Sequence, residues 1–159
     1  RNVKTTTKNQ KGFTIIEVLI VLAIAGAIML IVFLAVPALQ RNSRNTRRRN
    51  DVQRYAAAVT EWANNRTNGN LPAVAADLTT PNTGVNALAN LGYLTAPTTV
   101  TAAAATVTNN ATTTTFLYVP GTICSSNNAT STGATARQFT ILWATEDAGN
   151  NAAAQCLAS

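Results

Sequence analysis

Residues 18–36 read VLIVLAIAGAIMLIVFLAV, nineteen consecutive positions without a polar side chain. At about 1.5 Å per residue a helix of that length is ~28 Å long, close to the ~30 Å hydrocarbon core of a bilayer. Every face is apolar, so no helical period shows, and such a helix must be surrounded by lipid or by other protein. A secretory signal peptide has a shorter apolar region, ~7–15 residues, followed by a small-residue cleavage site. Here PALQRNSR follows, with no A-x-A pattern, so the segment is expected to stay in the mature chain.

Charge is as unevenly placed as apolarity. Only 11% of the 159 residues are charged, yet the formal net charge is +6. Arg1, Lys4, Lys8 and Lys11 precede the apolar run, and Arg41, Arg44, Arg47, Arg48, Arg49 and Arg54 follow it. The last 105 residues are slightly acidic, with Arg66 and Arg137 against Glu61, Asp77, Glu146 and Asp147. Histidine is absent and cysteine occurs twice. A His-dependent triad is excluded, and a tetrahedral zinc site lacks ligands. No catalytic site, metal or cofactor is expected.

The apolar run opens with a carboxylate that a simple anchor would not carry. Residues 11–18 read KGFTIIEV, placing Glu17 about one turn into the apolar segment, where an ionised group is costly and marks function. Phe13 and Glu17 are i and i+4, on one helix face. The string K-G-F-T-I-I-E-V-L-I-V-L resembles the start of type IV prepilins. The resemblance is specific for residues 11–40 and loose beyond them. It implies that residues 1–12 are a basic leader cut between Gly12 and Phe13 by a membrane-embedded prepilin peptidase. It further implies N-methylation of Phe13, and burial of Glu17 in a filament core as the partner of a Phe13 amine. Residues 13–36 would span the membrane before assembly. In related filaments the helix loosens between positions such as Gly26 and Pro37. A bent membrane helix is the alternative there, since Gly is a weak helix former and Pro removes a backbone donor. Loss of the leader leaves eight basic and six acidic side chains, +2.

Beyond Pro37, Val52, Tyr55, Val59 and Trp62 recur at i, i+3, i+7 and i+10, an apolar stripe for packing. One long helix is therefore expected over 13–66, apolar in its first half and amphipathic in its second, closed by Gly69 and Pro72. Arg41, Arg44 and Arg48 share one face, and the other three collar arginines spread over the rest. Taken alone, the positive-inside rule would place this flank in the cytoplasm; the prepilin motif and the cysteines argue the other way and are followed. The collar has three open roles: a solvated face, binding of lipid phosphates, or pairing with acidic patches of neighbouring subunits. The first and third are preferred. Nucleic acid is allowed by charge and weakly supported.

Residues 67–159 are read as a small globular head. Residues 66–112 are loop with short ordered pieces, including a short helix in LANLGYLTAP with Tyr93 and Leu94 turned inward. From 95 to 115, ten of 21 residues are Thr and six are Ala, predicting an extended surface segment. Residues 114–119 and 138–144 read as strands, with a third drawn from 98–108. The span between the first two is too long for a tight hairpin and too polar for core. Sequons at Asn65, Asn110 and Asn128 are what chance gives in a chain rich in Asn and Thr. Cys124 and Cys156 resemble the disulfide-bounded region of many type IV pilins, with two free thiols as the alternative. The fold class is α+β: a long N-terminal helix packed on a small antiparallel sheet.

The resemblance implies a structural subunit of a type IV pilus, a homopolymer serving adhesion, twitching motility or DNA uptake. It would begin as a precursor in the bacterial cytoplasmic membrane and end in an extracellular filament, handled by the prepilin peptidase and the pilus assembly machinery. The first alternative is a pseudopilin of a type II secretion or competence system. Major secretion pseudopilins usually carry a calcium loop with carboxylates, and residues 95–115 contain no Asp or Glu. A membrane-anchored binding protein with a basic juxtamembrane region is the more distant alternative.

Overall fold

The computed structural model describes residues 12–66, 69–81, 84–102, 106–130, 133–149 and 151–159. The chain divides into two compact units, Arg1–Leu39 and Gln40–Ser159. Helix α1, Ile15–Arg66, is unbroken through Gly26 and Pro37. Its N-terminus is closed by a capping box formed by Thr14 and Glu17. The Glu17 carboxylate accepts the Thr14 N–H and hydroxyl, each at 2.8 Å, and the Glu17 N–H donates to Thr14 Oγ1 at 3.3 Å. At the far end Gly69, at φ +90°, donates its N–H to the Ala63 carbonyl at 2.9 Å and satisfies an otherwise orphan acceptor.

In the first unit every described residue is exposed, from Gly12 onward. None of the described residues of the unit covers its Leu, Ile, Val, Met and Phe side chains. The helix is long and apolar enough to cross a membrane.

The second unit builds its core around the C-terminal part of α1. Val52, Tyr55, Val59 and Trp62 are all buried, joined by Ala58 and Ala63 at neighbouring positions of the same face. Two short helices follow, α2 (Ala75–Thr79) and α3 (Val85–Ala89), which contribute Leu78, Val85 and Ala89 to that core. Six strands then form two antiparallel sheets rather than the single sheet expected. Strands β2 (Leu117–Pro120), β5 (Phe139–Glu146) and β6 (Ala152–Ala158) form one, in the order β2-β5-β6. Strands β1 (Thr106–Val107), β3 (Ile123–Ser125) and β4 (Asn128–Thr130) form the other, in the order β1-β4-β3.

The central strand β5 explains this layering. Phe139, Ile141 and Trp143 join the α1 core together with Phe116 and Tyr118. The alternate residue Leu142 packs with Val119, Ala129 and Cys156 in a second small core between the sheets. Burial on both faces hides the period-2 pattern that marks a half-exposed strand. Tyr55 meets the Phe116 ring edge-on at 4.8 Å and Tyr118 at 6.1 Å. Thr122 and Thr140, both buried, share a hydroxyl hydrogen bond of 2.7 Å. The disulfide Cys124–Cys156 joins β3 to β6, and so one sheet to the other.

The polar span after β2 departs from expectation. It holds the β3–β4 hairpin, registered Cys124 to Ala129 and turning through Ser126 at φ 52°. Its strands are three residues each, too short to raise an apolar signal, and Ala129 alone is fully buried. Strand β6 was also not anticipated, because alanine is depleted in strands and AAAQCLA carries no β-branched residue.

Candidate functional site

Two charged clusters stand out, one at the start of α1 and one along its second half. At the start, Gly12, Phe13 and Thr14 are exposed and precede the helix. The Gly12–Phe13 peptide bond is thus free of helical hydrogen bonding, the state in which a peptidase can take an extended backbone. A Cβ built on Gly12 would meet nothing within 4 Å. Packing against the described residues therefore does not require glycine there. The same holds for Gly26. Phe13 and Glu17 line one open apolar groove with Val18, Ile20, Val21 and Leu22. Glu17 is held by its own Thr14 here, so a single chain already satisfies part of its carboxylate.

The second cluster is the collar, and half of it is turned inward. Glu146, at the end of β5, receives Arg44 through Nε at 3.0 Å and Nη2 at 2.6 Å, and Arg48 through Nη2 at 2.5 Å. Arg48 is 1% exposed. Its remaining donors reach the Thr113 carbonyl at 2.6 Å and Asn45 Oδ1 at 2.7 Å, and its guanidinium lies 5.2 Å from the Tyr93 ring centroid. Asn45 closes the arrangement by exchanging two hydrogen bonds with the Glu146 backbone, at 2.9 and 2.8 Å. Arg41 donates to the Ala148 carbonyl. A buried guanidinium is tolerable only when paired and hydrogen-bonded, and each of these contacts meets that condition. Hydrogen bonds from Arg44, then from Arg48, pull the Glu146 carboxyl down to about 2. The same bond raises Arg44 above its ordinary value.

Asp51 anchors a neighbouring turn. It is 4% exposed and accepts the backbone N–H groups of Gly92, Tyr93 and Leu94 at 3.3, 2.7 and 2.8 Å. Asp147 is exposed, and its carboxyl is held below its ordinary value chiefly by the Asn151 N–H, with help from Gly149.

The collar is therefore not one solvated band. Arg41, Arg44 and Arg48 bind the head of their own chain, whereas Arg47, Arg49 and Arg54 are exposed. The signal was present in the sequence. Arg41, Arg44 and Arg48 continue, at i, i+3 and i+7, the stripe that Val52, Tyr55, Val59 and Trp62 occupy further along. Reading arginine as a solvated type obscured that continuity. Glu146, Asn45 and Asp51 were not singled out, because a partner 102 residues away in sequence leaves no local trace. No group of three His, Cys, Asp or Glu side chains among the described residues is placed to hold a metal ion.

The N-terminal cluster has a counterpart among known families. Residues 7–33 match the model of the prokaryotic N-terminal methylation motif. No curated protein and no solved structure matches the chain.

Proposed function

We propose, from the premise that residues 7–33 carry the class III signal peptide of type IV pilins, that this chain is the structural subunit of a type IV pilus. The observation that carries the reading is the methylation motif joined directly to a fully exposed apolar helix. The motif and that helix fit a membrane-anchored precursor that a prepilin peptidase processes for assembly. Cleavage between Gly12 and Phe13 frees an amine at the mouth of the helix, and that amine is N-methylated. The chain leaves the membrane by trading lipid for the apolar helices of identical copies. Glu17 then pairs with a Phe13 amine, because two opposite charges at ~4 Å attract by ~4 kcal/mol at an effective dielectric of ~20, offsetting two desolvation penalties. The role is structural and not enzymatic. The filament lies outside the cell, where adhesion, motility or DNA uptake is its service.

The motif also fits a pseudopilin precursor. The pilin reading is preferred because residues 95–115 offer no carboxylates and a disulfide ties the C-terminal strand to the small sheet. Mass spectrometry of the mature N-terminus is the first test. A chain beginning at N-methyl-Phe13 is expected, and an intact leader in cells with active peptidase sinks the reading. Electron microscopy of sheared surface filaments then separates a pilus subunit, which fills them, from a pseudopilin, which does not.

A further inference from the structure

One exposed flank of α1, bordering the Gly92–Tyr93 turn, carries a charge pattern that the described residues engage only through Arg54 and Asp51. Arg47, Arg54 and Glu61 are exposed and fall at intervals of seven residues. An ideal helix drifts only ~20° per heptad, so the three lie close to one line, ~10.5 Å apart along the axis. Among the described residues Arg47 and Glu61 enter no ion pair. Arg54 comes only within 3.9 Å of Asp51, whose oxygens already accept three backbone N–H groups. The line continues backward to exposed Gln40, so it reads neutral, basic, basic, acidic. On one side of the line Asn50 and Ala57 are short and exposed, and on the other Asp51 and Ala58 are buried, so a neighbour would approach from the Asn50–Ala57 side.

We infer that this line is a contact between copies of the chain, with Glu61 of one copy paired to an arginine on the line of a parallel neighbour. The inference rests on the filament reading, which supplies the parallel orientation. Charge complementarity then selects the stagger. In register, the line sets Arg47 against Arg47, Arg54 against Arg54 and Glu61 against Glu61, three like-charge contacts. A shift of one heptad brings Glu61 to Arg54 but also sets Arg54 against Arg47. A shift of two heptads, ~21 Å, brings Glu61 to Arg47 and leaves Arg54 beside Gln40, with no like-charge contact. The two-heptad register is the one the pattern favours, and all in-register pairing is disfavoured. A line of this kind selects a register, while the apolar helices supply the bulk of the association.

The test uses full-length chains in assembling cells. The native cysteines are both in the disulfide, so an introduced cysteine is the only free thiol. A chain with Glu61→Cys is co-expressed with one carrying Arg47→Cys or Arg54→Cys, and sheared filaments are mildly oxidised and run on non-reducing gels. A mixed dimer is expected with Arg47→Cys; a mixed dimer with Arg54→Cys supports the contact at the one-heptad register. No mixed dimer, or same-position dimers in excess of mixed ones, overturns it. A second measurement guards against thiol geometry. Arg47→Glu/Arg54→Glu is expected to lower filament yield about tenfold, and adding Glu61→Arg to restore it. Unchanged yield in the doubly reversed chain overturns the contact while leaving the filament reading intact. That reading fails separately, through absence of filaments from the unaltered chain.

Discussion

Residues 15–40 and residues 41–66 belong to one helix and have opposite relations to their own chain. In the first stretch every residue is exposed, although nearly all are apolar. In the second, one face buries Tyr55, Val59 and Trp62, and even Arg48 and Asp51 are more than nine-tenths buried. The first stretch gains nothing from folding beyond its own hydrogen bonds. Its side chains suit surroundings the described residues do not supply, such as the bilayer core that the helix is long and apolar enough to cross. The second stretch is selected for the head it carries. The two glutamates repeat the contrast. Glu146 has two arginines of its own chain, while among the described residues Glu17 has the hydroxyl and amide of Thr14 and an apolar groove beside it. Changes in the first stretch should therefore alter assembly and spare the head, and changes in the second should do the reverse.

The largest effect is expected at Glu17. Glu17→Gln or Glu17→Ala removes the charge that, on the proposed filament reading, pairs with a Phe13 amine, and filament yield should fall to near zero. The head should be untouched: thiol alkylation of the membrane-inserted chain should still find Cys124 and Cys156 protected. Normal yield from Glu17→Gln would remove the assembly role proposed for that carboxylate. A loss of yield accompanied by reactive thiols would break the comparison itself, by showing that the first stretch supports the head.

The next effect lies within the head. Cys124→Ser/Cys156→Ser opens a link spanning 32 positions and should cost roughly 3–4 kcal/mol in the chain-entropy model. Both tryptophans of the chain, Trp62 and Trp143, are in the buried core, so their fluorescence during denaturation in detergent reports on the head alone. A midpoint unchanged by the double substitution would mean that the two small sheets hold together through Val119, Ala129 and Leu142 without the staple.

How much of this was readable from the chain follows the same divide. In the first stretch the methylation motif and the membrane-length apolar helix were legible, because both are local in sequence. The stem stripe was legible by its period. The loosening expected between Gly26 and Pro37 belongs to assembled filaments, and in the single chain α1 runs through both positions unbroken. The sheets were legible where β-branched and aromatic residues cluster, in β2 and β5, and β1 falls within the third strand expected over 98–108. Strand β6 is held by its pairing with β5 from Glu146–Ala152 to Thr140–Ala158, and its alanines give no propensity signal. The Arg44–Arg48–Glu146 cluster depends on the fold bringing residues 102 and 98 positions apart together, which a single sequence does not announce.

Arg48→Ala should cost about 3 kcal/mol, near the low end of the ~3–5 kcal/mol for breaking a buried pair, because Arg44 remains to hold Glu146. Arg48→Met, which keeps the volume and removes the charge, should recover part of that loss. Filament yield should fall only as far as head stability does. If Arg48→Ala abolished filaments while leaving the tryptophan transition unchanged, Arg48 would belong to the intermolecular side of the comparison despite being buried in its own chain.

The smallest effect is the pH dependence of the same cluster, and its sign separates the two glutamates. The folded Glu146 carboxyl sits at about 2, below its ordinary 4.5, because Arg44 and Arg48 donate to its charged form. A depressed carboxyl contributes stability that is fully present above the unfolded value and is lost as pH falls through the folded one. Head stability should therefore decline between pH ~4.5 and ~2, and the decline should flatten in Glu146→Gln, which has no proton to take up. Glu17→Gln should leave that profile as it is, since Glu17 is exposed and bonded to Thr14. Tryptophan-monitored denaturation across this range compares the three chains directly. An acid decline that survives unchanged in Glu146→Gln would assign it to other carboxylates, Asp147 with its turn-held oxygens being the next to substitute.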